Sequence, residues 1–143
     1  MTNWHENYTV VDIETTGLSP QKDDIIELSA LKVRDNKVVE EFSTLLKSSK
    51  GVNSFISGLT GITNSMLNNA PIIEDVLPEF LAFIGNDIIL GHNVNFDMRF
   101  IKAKTQLVLN KMVENSIMDT MIFAKRNLEL PNFKLTTIAQ YYD

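Results

Sequence analysis

Apolar and polar residues follow two different periods along the chain, and the first of them predicts strands. Runs rich in β-branched residues predict a strand that begins at Val10 and ends at a Thr-Thr-Gly turn, a second strand over residues 25–33 and a third over 37–46. Asp35 and Asn36, between the second and third runs, predict a tight turn. The first third of the chain is therefore expected to be a three-strand meander.

Further along, the period changes to that of an amphipathic helix over residues 73–84. One face of this helix is a stripe of apolar residues: Val76, Leu77, Phe80, Leu81 and Ile84. Pro78 is tolerated only in a first turn, which leaves open an alternative start a few residues after Ile73. Gly85 is in the favoured position to end it.

Shorter elements fill the rest of the chain. Residues 48–58 predict a loop, 59–70 contain a short helix capped by Thr63, and further helices are expected at 96–108, 120–127 and 134–142. Brief strands are expected at 87–91 and 116–119. A meander followed by alternating helices and short strands is typical of a single α/β domain with a mixed sheet flanked by helices. A chain of 143 residues suffices for one such domain.

The first strand carries unexpected acids. Val10, Val11 and Ile13 favour a strand buried on both faces, yet Asp12 and Glu14 interrupt it on one side, roughly 7 Å apart. Two half-buried carboxylates repel each other unless a cation lies between them, and oxygen ligands suit Mg²⁺ or Mn²⁺. The alternative is an edge strand whose polar face meets water, and the residues alone leave the two interpretations about even.

A second polar cluster runs from Gly91 to Asp97, where a buried strand gives way to a helix. Open α/β sheets bind ligands at such strand ends. Taken alone, Asp97 is more simply interpreted as an acid that complements the helix dipole, worth about 0.3–1 kcal/mol. His92 is expected to be structural and to bond to backbone, while Asn93 and Asn95 could cap the helix or shape the turn.

Composition narrows the functional classes. The net charge of -5 argues against broad non-specific nucleic-acid binding. The charge is uneven: residues 1–97 carry 6 Lys/Arg against 14 Asp/Glu, whereas residues 98–143 carry 7 against 4. An acidic front half and a basic back half would suit a metal site beside a phosphate-holding surface. Without cysteine, membrane span or signal-peptide pattern, the chain is expected to be cytoplasmic.

The two clusters together resemble a known family. The segment from Asp12 to Leu18 (DIETTGL) is similar to the first motif of the DEDD exonucleases, also called the DnaQ-like or RNase T family, and the segment from His92 to Asp97 (HNVNFD) is similar to the second. Residues 59–63 (LTGIT) resemble the stretch between these motifs, and Asp119-Thr120 and Lys134-Leu135 also fall where the family commonly has such residues. The family includes the proofreading epsilon subunit of bacterial DNA polymerase III.

The resemblance implies a ribonuclease H-like fold and metal-dependent 3′–5′ exonuclease activity that releases nucleoside 5′-monophosphates. Asp12, Glu14 and Asp97 would bind two Mg²⁺ or Mn²⁺ ions and carry the catalysis. The terminal nucleotide would be met by the residues Thr15, Thr16, Gly17, Leu18, Thr60 and Phe96. The expected substrate is a nucleic-acid 3′ end, chiefly single-stranded DNA, although neither motif distinguishes DNA from RNA. A DNA polymerase subunit is the expected partner.

One family feature has no counterpart in this sequence. The third motif is a histidine followed five residues later by an aspartate, whereas the only histidines are His5 and His92 and the chain stops at Asp143. We therefore expect a domain that is incomplete at its C-terminus and holds at most one weakly bound ion. Two alternatives remain: an inactive domain that binds a nucleic-acid end or a metal, and a module that docks on a polymerase.

Overall fold

A computed structural model describes residues 6–143, so most of the polar leader expected at residues 1–7, including His5, lies outside the described residues. Within that range the chain forms strands and helices in this order: β1 (Tyr8–Thr15), β2 (Ile25–Arg34), β3 (Lys37–Leu45), α1 (Ser54–Thr60), α2 (Asn64–Leu67), α3 (Ile73–Ile84), β4 (Ile89–Gly91), α4 (Val94–Leu109), β5 (Ile117–Asp119), α5 (Thr120–Asn127) and α6 (Leu135–Tyr142).

The five strands form one sheet in the order β3-β2-β1-β4-β5. β1 pairs antiparallel with β2, and β2 with β3, whereas β1, β4 and β5 run parallel. The predicted mixed sheet is confirmed, with the meander on one side and the parallel strands on the other. β1 lies in the middle of the sheet and is not an edge strand, although β4 pairs with it only at Thr9 and Val10, so that Asp12 and Glu14 pair with β2 alone.

The main hydrophobic core lies between the sheet and the helices α3 and α4. Val11 and Ile13 of β1 pack there with Phe80 of α3 and Phe100 of α4, and both phenylalanines are fully buried. The opposite face of β1 is only partly covered, because Val10 and Glu14 are half-buried and Asp12 is exposed. The expectation that β1 is buried on both faces therefore holds for one face only.

The predicted loop over residues 48–58 is wrong in its second half. α1 begins there, with the Asn53 side chain accepting from the Ile56 N–H and Gly61 ending the helix in a left-handed conformation at φ 76°. None of its residues is buried. Only Ile56 packs partly against a core, so the clearest marks of α1 in the sequence are its two capping residues. α2 is capped by Thr63, as predicted.

The predicted range of α3 is confirmed, whereas the start of α4 differs from prediction. α3 begins at Ile73 and carries Pro78 in its interior, although a proline there removes one hydrogen bond of the helix. Val76, Leu77, Phe80 and Ile84 are all buried, so burial of the stripe outweighs this local cost. α4 begins at Val94, two residues before the predicted start. No helix within residues 6–143 is both long and apolar enough to cross a bilayer.

Candidate metal and nucleotide site

The carboxyl end of β1 meets the first turn of α4. β4 pairs with β1 only at Thr9 and Val10, and the chain leaves the sheet after Gly91 to begin α4. Beyond that point the Ile13 N–H donates to the Asp97 carboxylate (Oδ2, 3.1 Å). Asp97 is 6% exposed, so it lies against the sheet and not on the surface, where an acid that merely complements the helix dipole would lie.

Gly91 makes this approach feasible. A Cβ at residue 91 would lie 2.7 Å from Val94 Cγ2 and 2.9 Å from the backbone oxygen of Val11. Any larger residue would push the start of α4 away from β1, and Asp97 with it. The next turn is tight as well: Asn93 has φ 56° and makes no side-chain capping bond, so it shapes the turn rather than capping the helix.

All three predicted acids have raised pKa values, and burial is the largest cause for each. Burial raises the pKa of Asp97 to about 7, and the negative charges of Asp12 and Glu14 add to this rise. Partial burial likewise raises the pKa of Asp12. The pKa of Glu14 is raised first by burial, then by Asp12 and Glu27. Burial is thus the main cause in each case, and the charge of Asp12 acts on both Glu14 and Asp97, as expected for acids grouped in a candidate functional site.

Glu27 is a member of this acidic group that the sequence did not reveal. It lies on β2 directly opposite Glu14, and like charges opposite each other in a sheet are destabilising. Its only sequence signal is a position in the imperfect alternation of the second strand. The ion pairs within residues 6–143 join Arg34 to Asp87 and Lys50 to Asp23, so no cationic side chain in that range neutralises the acids on β1 and α4.

The pairing register between β1 and β2 shifts beside the acids. Glu14 pairs with Glu27 but Thr15 pairs with Ile25, which leaves Ile26 as the extra residue of a bulge. Ile26 is fully buried in a second, smaller core with Val52, Ile62 and Leu67. This core anchors the segment from Val52 to Leu67, with α1 and α2, at the same end of the sheet as Asp12 and Glu14.

The turn after β1 is held by its own chain. Thr16 N donates to the Asp24 carbonyl oxygen (2.9 Å), and Asp24 N donates to Thr16 Oγ1 (2.9 Å). A Cβ at residue 17 would overlap the Asp23 carboxylate, so the turn requires glycine at this point. That carboxylate accepts from Ser19 N (2.9 Å), so Asp23 shapes the turn from within.

The predicted nucleotide-binding residues are unequal in what they offer. Leu18 is 82% exposed at the tip of the turn. The hydroxyls of Thr15 and Thr60 donate to backbone oxygens of Gly17 and Ile56. The Phe96 ring packs on Phe100 with centroids 5.1 Å apart. Leu18 is thus the side chain freest to meet a ligand, whereas the threonine hydroxyls already have partners.

His92 is structural, as predicted. Its Nε2 donates to the Phe133 carbonyl oxygen (2.6 Å), and its Nδ1 lies 3.0 Å from Thr120 Oγ1. It therefore ties the end of β4 to α5 and to the loop before α6. Asp119 binds the same region together, because its Oδ1 accepts from the backbone N–H groups of Asn93 and Met121. The sequence indicated Asp119 only through the family resemblance.

The acids provide suitable donors for a hard cation but not a finished cage. Carboxylate oxygens are the ligands that Mg²⁺ and Mn²⁺ prefer, and burial makes it costly to ionise Asp12, Glu14 and Asp97 without a cation. Across residues 6–143, however, no three His, Cys, Asp or Glu side chains converge closely enough to hold an ion. The donor chemistry fits a divalent cation, and a closed site would need a further ligand or a shift of these side chains.

Comparison with known sequences gives one consistent result. Residues 9–143 match the model of the RNase T family, described as an exonuclease. DNA polymerase III PolC-type of Caldanaerobacter subterraneus subsp. tengcongensis is 43% identical over 137 residues, which is 95% of this chain and 10% of that protein. DNA polymerase III subunit epsilon of Aquifex aeolicus is 38% identical over 136 residues, 94% of this chain and 67% of that protein. The chain thus spans about a tenth of the PolC-type relative.

Comparison with solved structures supports the same fold. Exonuclease X in complex with 5′ overhanging duplex DNA superposes with a TM-score of 0.74 and 26% identity, covering 94% of this chain and 72% of that one. The ribonuclease H-like fold expected from the two motifs is confirmed.

Proposed function

Because the chain belongs to the RNase T exonuclease family, we propose that it carries the acidic part of a metal-dependent 3′–5′ exonuclease site. The substrate is a DNA 3′ end and the products are nucleoside 5′-monophosphates. The observation that carries this proposal is the group of Asp12, Glu14 and Asp97, whose pKa values are all raised and which have no cationic partner within residues 6–143.

In this proposal Asp12, Glu14 and Asp97 hold Mg²⁺ or Mn²⁺. When bound, such ions stabilise the charge that develops on the attacking and leaving oxygens of a phosphodiester. The rest of the chain positions these acids: the Ile13 N–H orients the Asp97 carboxylate, and Gly91 allows α4 to approach β1. Since Asp97 has a pKa of about 7, it is partly protonated at neutral pH and must release its proton to act as a ligand.

The exposed Leu18 and the turn that carries it would receive the terminal nucleotide. The backbone near Thr15, Thr16, Gly17 and Thr60 would contribute, as would Phe96, whose ring packs on Phe100. DNA is favoured over RNA because the relatives named above are DNA polymerase III proteins and the solved neighbour is a DNA complex. By the same reasoning a DNA polymerase subunit is the proposed partner, and the cytoplasm the proposed location.

Cleavage of a 5′-labelled single strand tests the activity directly. We expect Mn²⁺-dependent shortening from the 3′ end, and a matched RNA of the same sequence should be cut more slowly. Asp12→Asn should abolish the shortening, while Asp35→Asn, an exposed acid at the far hairpin, should leave it unchanged. Equal cutting by the Asp12→Asn variant would refute the assignment of the site.

The metal is tested separately by calorimetry with Mn²⁺ on the native chain and on Asp12→Ala. We expect at most one weakly bound ion on the native chain and a clear loss of binding in the variant. The reason is that the charge of Asp12 acts on both Glu14 and Asp97, whose pKa values it raises. Equal binding by the two proteins would defeat the assignment of these acids as ligands.

A second candidate is a module that binds a nucleic-acid end, or docks on a polymerase, without cutting. It is favoured by the lack of a ready three-ligand metal group within residues 6–143.

The family resemblance suggests that a histidine base and a further aspartate complete the site. We therefore propose that residues 1–143 cut at least roughly 100-fold more slowly than a longer chain that includes both residues, since general-base catalysis contributes about 10²–10⁴-fold. Comparable rates would mean that another residue of this chain serves as the base. His92 would be the first residue to consider, and cleavage by a His92→Ala variant would test it.

A further inference from the structure

A basic groove lies beside α4, where the turn after β1 approaches the helix. Its volume is about 540 Å³, and among residues 6–143 no Asp or Glu lines it. The lining residues come from the turn, from α4 and from the segment that follows α4, and include Pro20, Gln21, Arg99, Lys102, Lys111 and Met112. Three of these are cationic in a chain whose net charge is -5, so the groove differs in charge from the chain as a whole.

The helix and the main core fix the positions of these cations. Arg99, Lys102 and Gln106 are spaced by three and four residues, so they lie on one exposed face of α4. From Arg99 to Gln106 this face spans about 10 Å of helix axis. Val113 is buried in the main core, and it anchors the segment that brings Lys111 to the same groove.

The positive charge of the groove is not neutralised by the acids closest in sequence. Neither ion pair formed within residues 6–143 involves Arg99, Lys102 or Lys111. Asp97 lies two residues before Arg99, but it is buried against β1 on another side of the helix. Glu114, three residues after Lys111, lines a neighbouring cavity and not this one. The groove therefore offers three exposed cations to an anionic ligand.

We propose that the basic groove binds phosphates of the nucleic-acid strand whose 3′ end enters the candidate site, an inference that rests on the proposed function. The turn joins the two places, because Pro20 lines the groove and lies two residues after the exposed Leu18. The acids of the site repel phosphates, so a strand needs cations farther along to hold it. Arginine and lysine both bind phosphate, and arginine can do so through two parallel hydrogen bonds.

The dimensions of the groove favour a strand over an acidic peptide. Stacked nucleotides place a phosphate about every 3.4 Å along a strand, so about 10 Å of groove meets two or three phosphates. A peptide carries its negative charges on flexible side chains, whose ordering costs entropy. Met112, which is 79% exposed, adds apolar surface for a sugar or a base. The uneven charge of the sequence thus corresponds to an acidic site and a basic groove beside it.

Binding is measured by fluorescence anisotropy of a 5′-fluorescein oligothymidylate of about 12 nucleotides, in EDTA so that no metal-dependent cleavage occurs. The groove variant carries Arg99→Gln, Lys102→Gln and Lys111→Gln. At about 50 mM salt it should bind at least about tenfold more weakly than the native chain. The slope of log K against log[salt] should flatten by up to about 2, since each phosphate contact on a single strand contributes about 0.7.

A matched control variant removes the same charge from exposed residues outside the groove and carries Lys37→Gln, Lys125→Gln and Arg126→Gln. Its affinity should change by less than about threefold, because salt screens charges that do not contact the strand. In Mn²⁺ the groove variant should cleave the strand with a raised KM and a nearly unchanged kcat, as expected when only binding is lost. If the native chain does not cleave at all, the proposed function fails while the binding in EDTA still tests the groove.

The proposal is overturned by any of the following results. Equal weakening in the two variants would mean that net charge, and not the groove, controls binding. Undiminished binding by the groove variant, or no measurable binding by the native chain, would show that the groove holds no phosphates. An unchanged KM would mean that the bound strand is not the one that enters the site. Displacement by hexaglutamate at a lower concentration than by unlabelled oligonucleotide would assign the groove to an acidic peptide. Circular dichroism establishes that both variants are folded.

Discussion

Consecutive residues of β1 face opposite environments. Val11 and Ile13 point into the layer under α3 and α4, where burial of apolar surface stabilises the fold. Asp12 and Glu14 point to the partly open face, where their negative charges add to those of Glu27 and Asp97. The apolar side of the strand therefore stabilises the fold, whereas the acidic side destabilises it. Such a local cost is typical of functional sites, where charges are arranged for a ligand that the folded chain alone does not provide.

The apolar side should show the largest effect on stability. Phe80 is fully buried in the main core, so Phe80→Ala should cost about 3–5 kcal/mol of unfolding free energy, as large aromatic truncations do. Urea unfolding measures this loss. Phe55→Ala provides the matched control, because Phe55 is 73% exposed on α1 and its removal should change stability by less than about 0.5 kcal/mol. A loss below about 1 kcal/mol for Phe80→Ala would show that the core has been misidentified.

The acidic side should respond in the opposite direction. Asp97 has a pKa of about 7 in the folded chain, raised from 3.8. Between these values the folded state binds more protons than the unfolded state, so stability falls as pH rises from about 4 to 7 and then levels off. Asp97→Asn keeps an oxygen for the Ile13 N–H and removes the charge. In EDTA at pH 8 it should be more stable than the native chain by about 2–4 kcal/mol.

The same urea series at pH 4 is the control for Asp97→Asn. Asp97 is then largely protonated in the folded state, so the variant and the native chain should differ little. A gain that is equal at pH 4 and pH 8 would mean that charge is not the cause. A loss at pH 8 would mean that the Asp97 carboxylate stabilises the metal-free fold.

Gly91 links the two sides, since it brings α4 against β1. Gly91→Ala should cost about 1–3 kcal/mol through overpacking, because a Cβ would lie 2.7 Å from Val94 and 2.9 Å from the Val11 carbonyl oxygen. Gly58→Ala, within α1, meets nothing within 4 Å and should be neutral or stabilising by up to about 1 kcal/mol. Thermal melts compare the two variants with the native chain. If both melting temperatures lie above that of the native chain, or both lie below it, close packing at Gly91 is not what brings α4 to the strand.

The smallest effect is expected for Asp12→Asn in the metal-free protein. Asp12 is the most exposed of the three acids, so relief of its repulsion with Glu14 should leave stability unchanged or slightly raised. A loss above about 1 kcal/mol in the urea assay, where surface changes normally stay within about 0.5 kcal/mol, would assign Asp12 a structural role.

Much of the fold could be predicted because its signals are periodic or local. The stripe of α3, the Asp35-Asn36 turn, the Thr63 cap and the order of strands all follow from patterns within a few residues. α1 was missed because it is short and none of its residues is fully buried, with Ile56 only partly buried against the second core. The range of α3 was predicted, and the alternative later start that Pro78 suggested is wrong because burial of its neighbours outweighs the lost hydrogen bond.

The site residues that could be predicted are those that stand out within the local pattern of their own strand or helix. Asp12, Glu14 and Asp97 stand out against apolar surroundings, and the two motifs supplied the family. Glu27 could not be found, because its role depends on which residue of β2 pairs with Glu14. The role of Asp23 depends likewise on the Gly17 turn folding back over it. Such contacts arise from register and packing, which no local pattern records.

The proposed shared field of Asp12, Glu14 and Asp97 is tested most directly by following the ¹³C signal of the Asp97 carboxyl group with pH. In EDTA we expect a midpoint near the pKa of about 7, and a lower midpoint in Asp12→Asn because one repelling charge is gone. With saturating Mg²⁺ the midpoint of the native chain should fall by more than about one unit, since a bound cation favours the charged form. A midpoint near 3.8 in EDTA, or one that neither Mg²⁺ nor Asp12→Asn alters, would contradict the assignment of these acids to one cation-binding site.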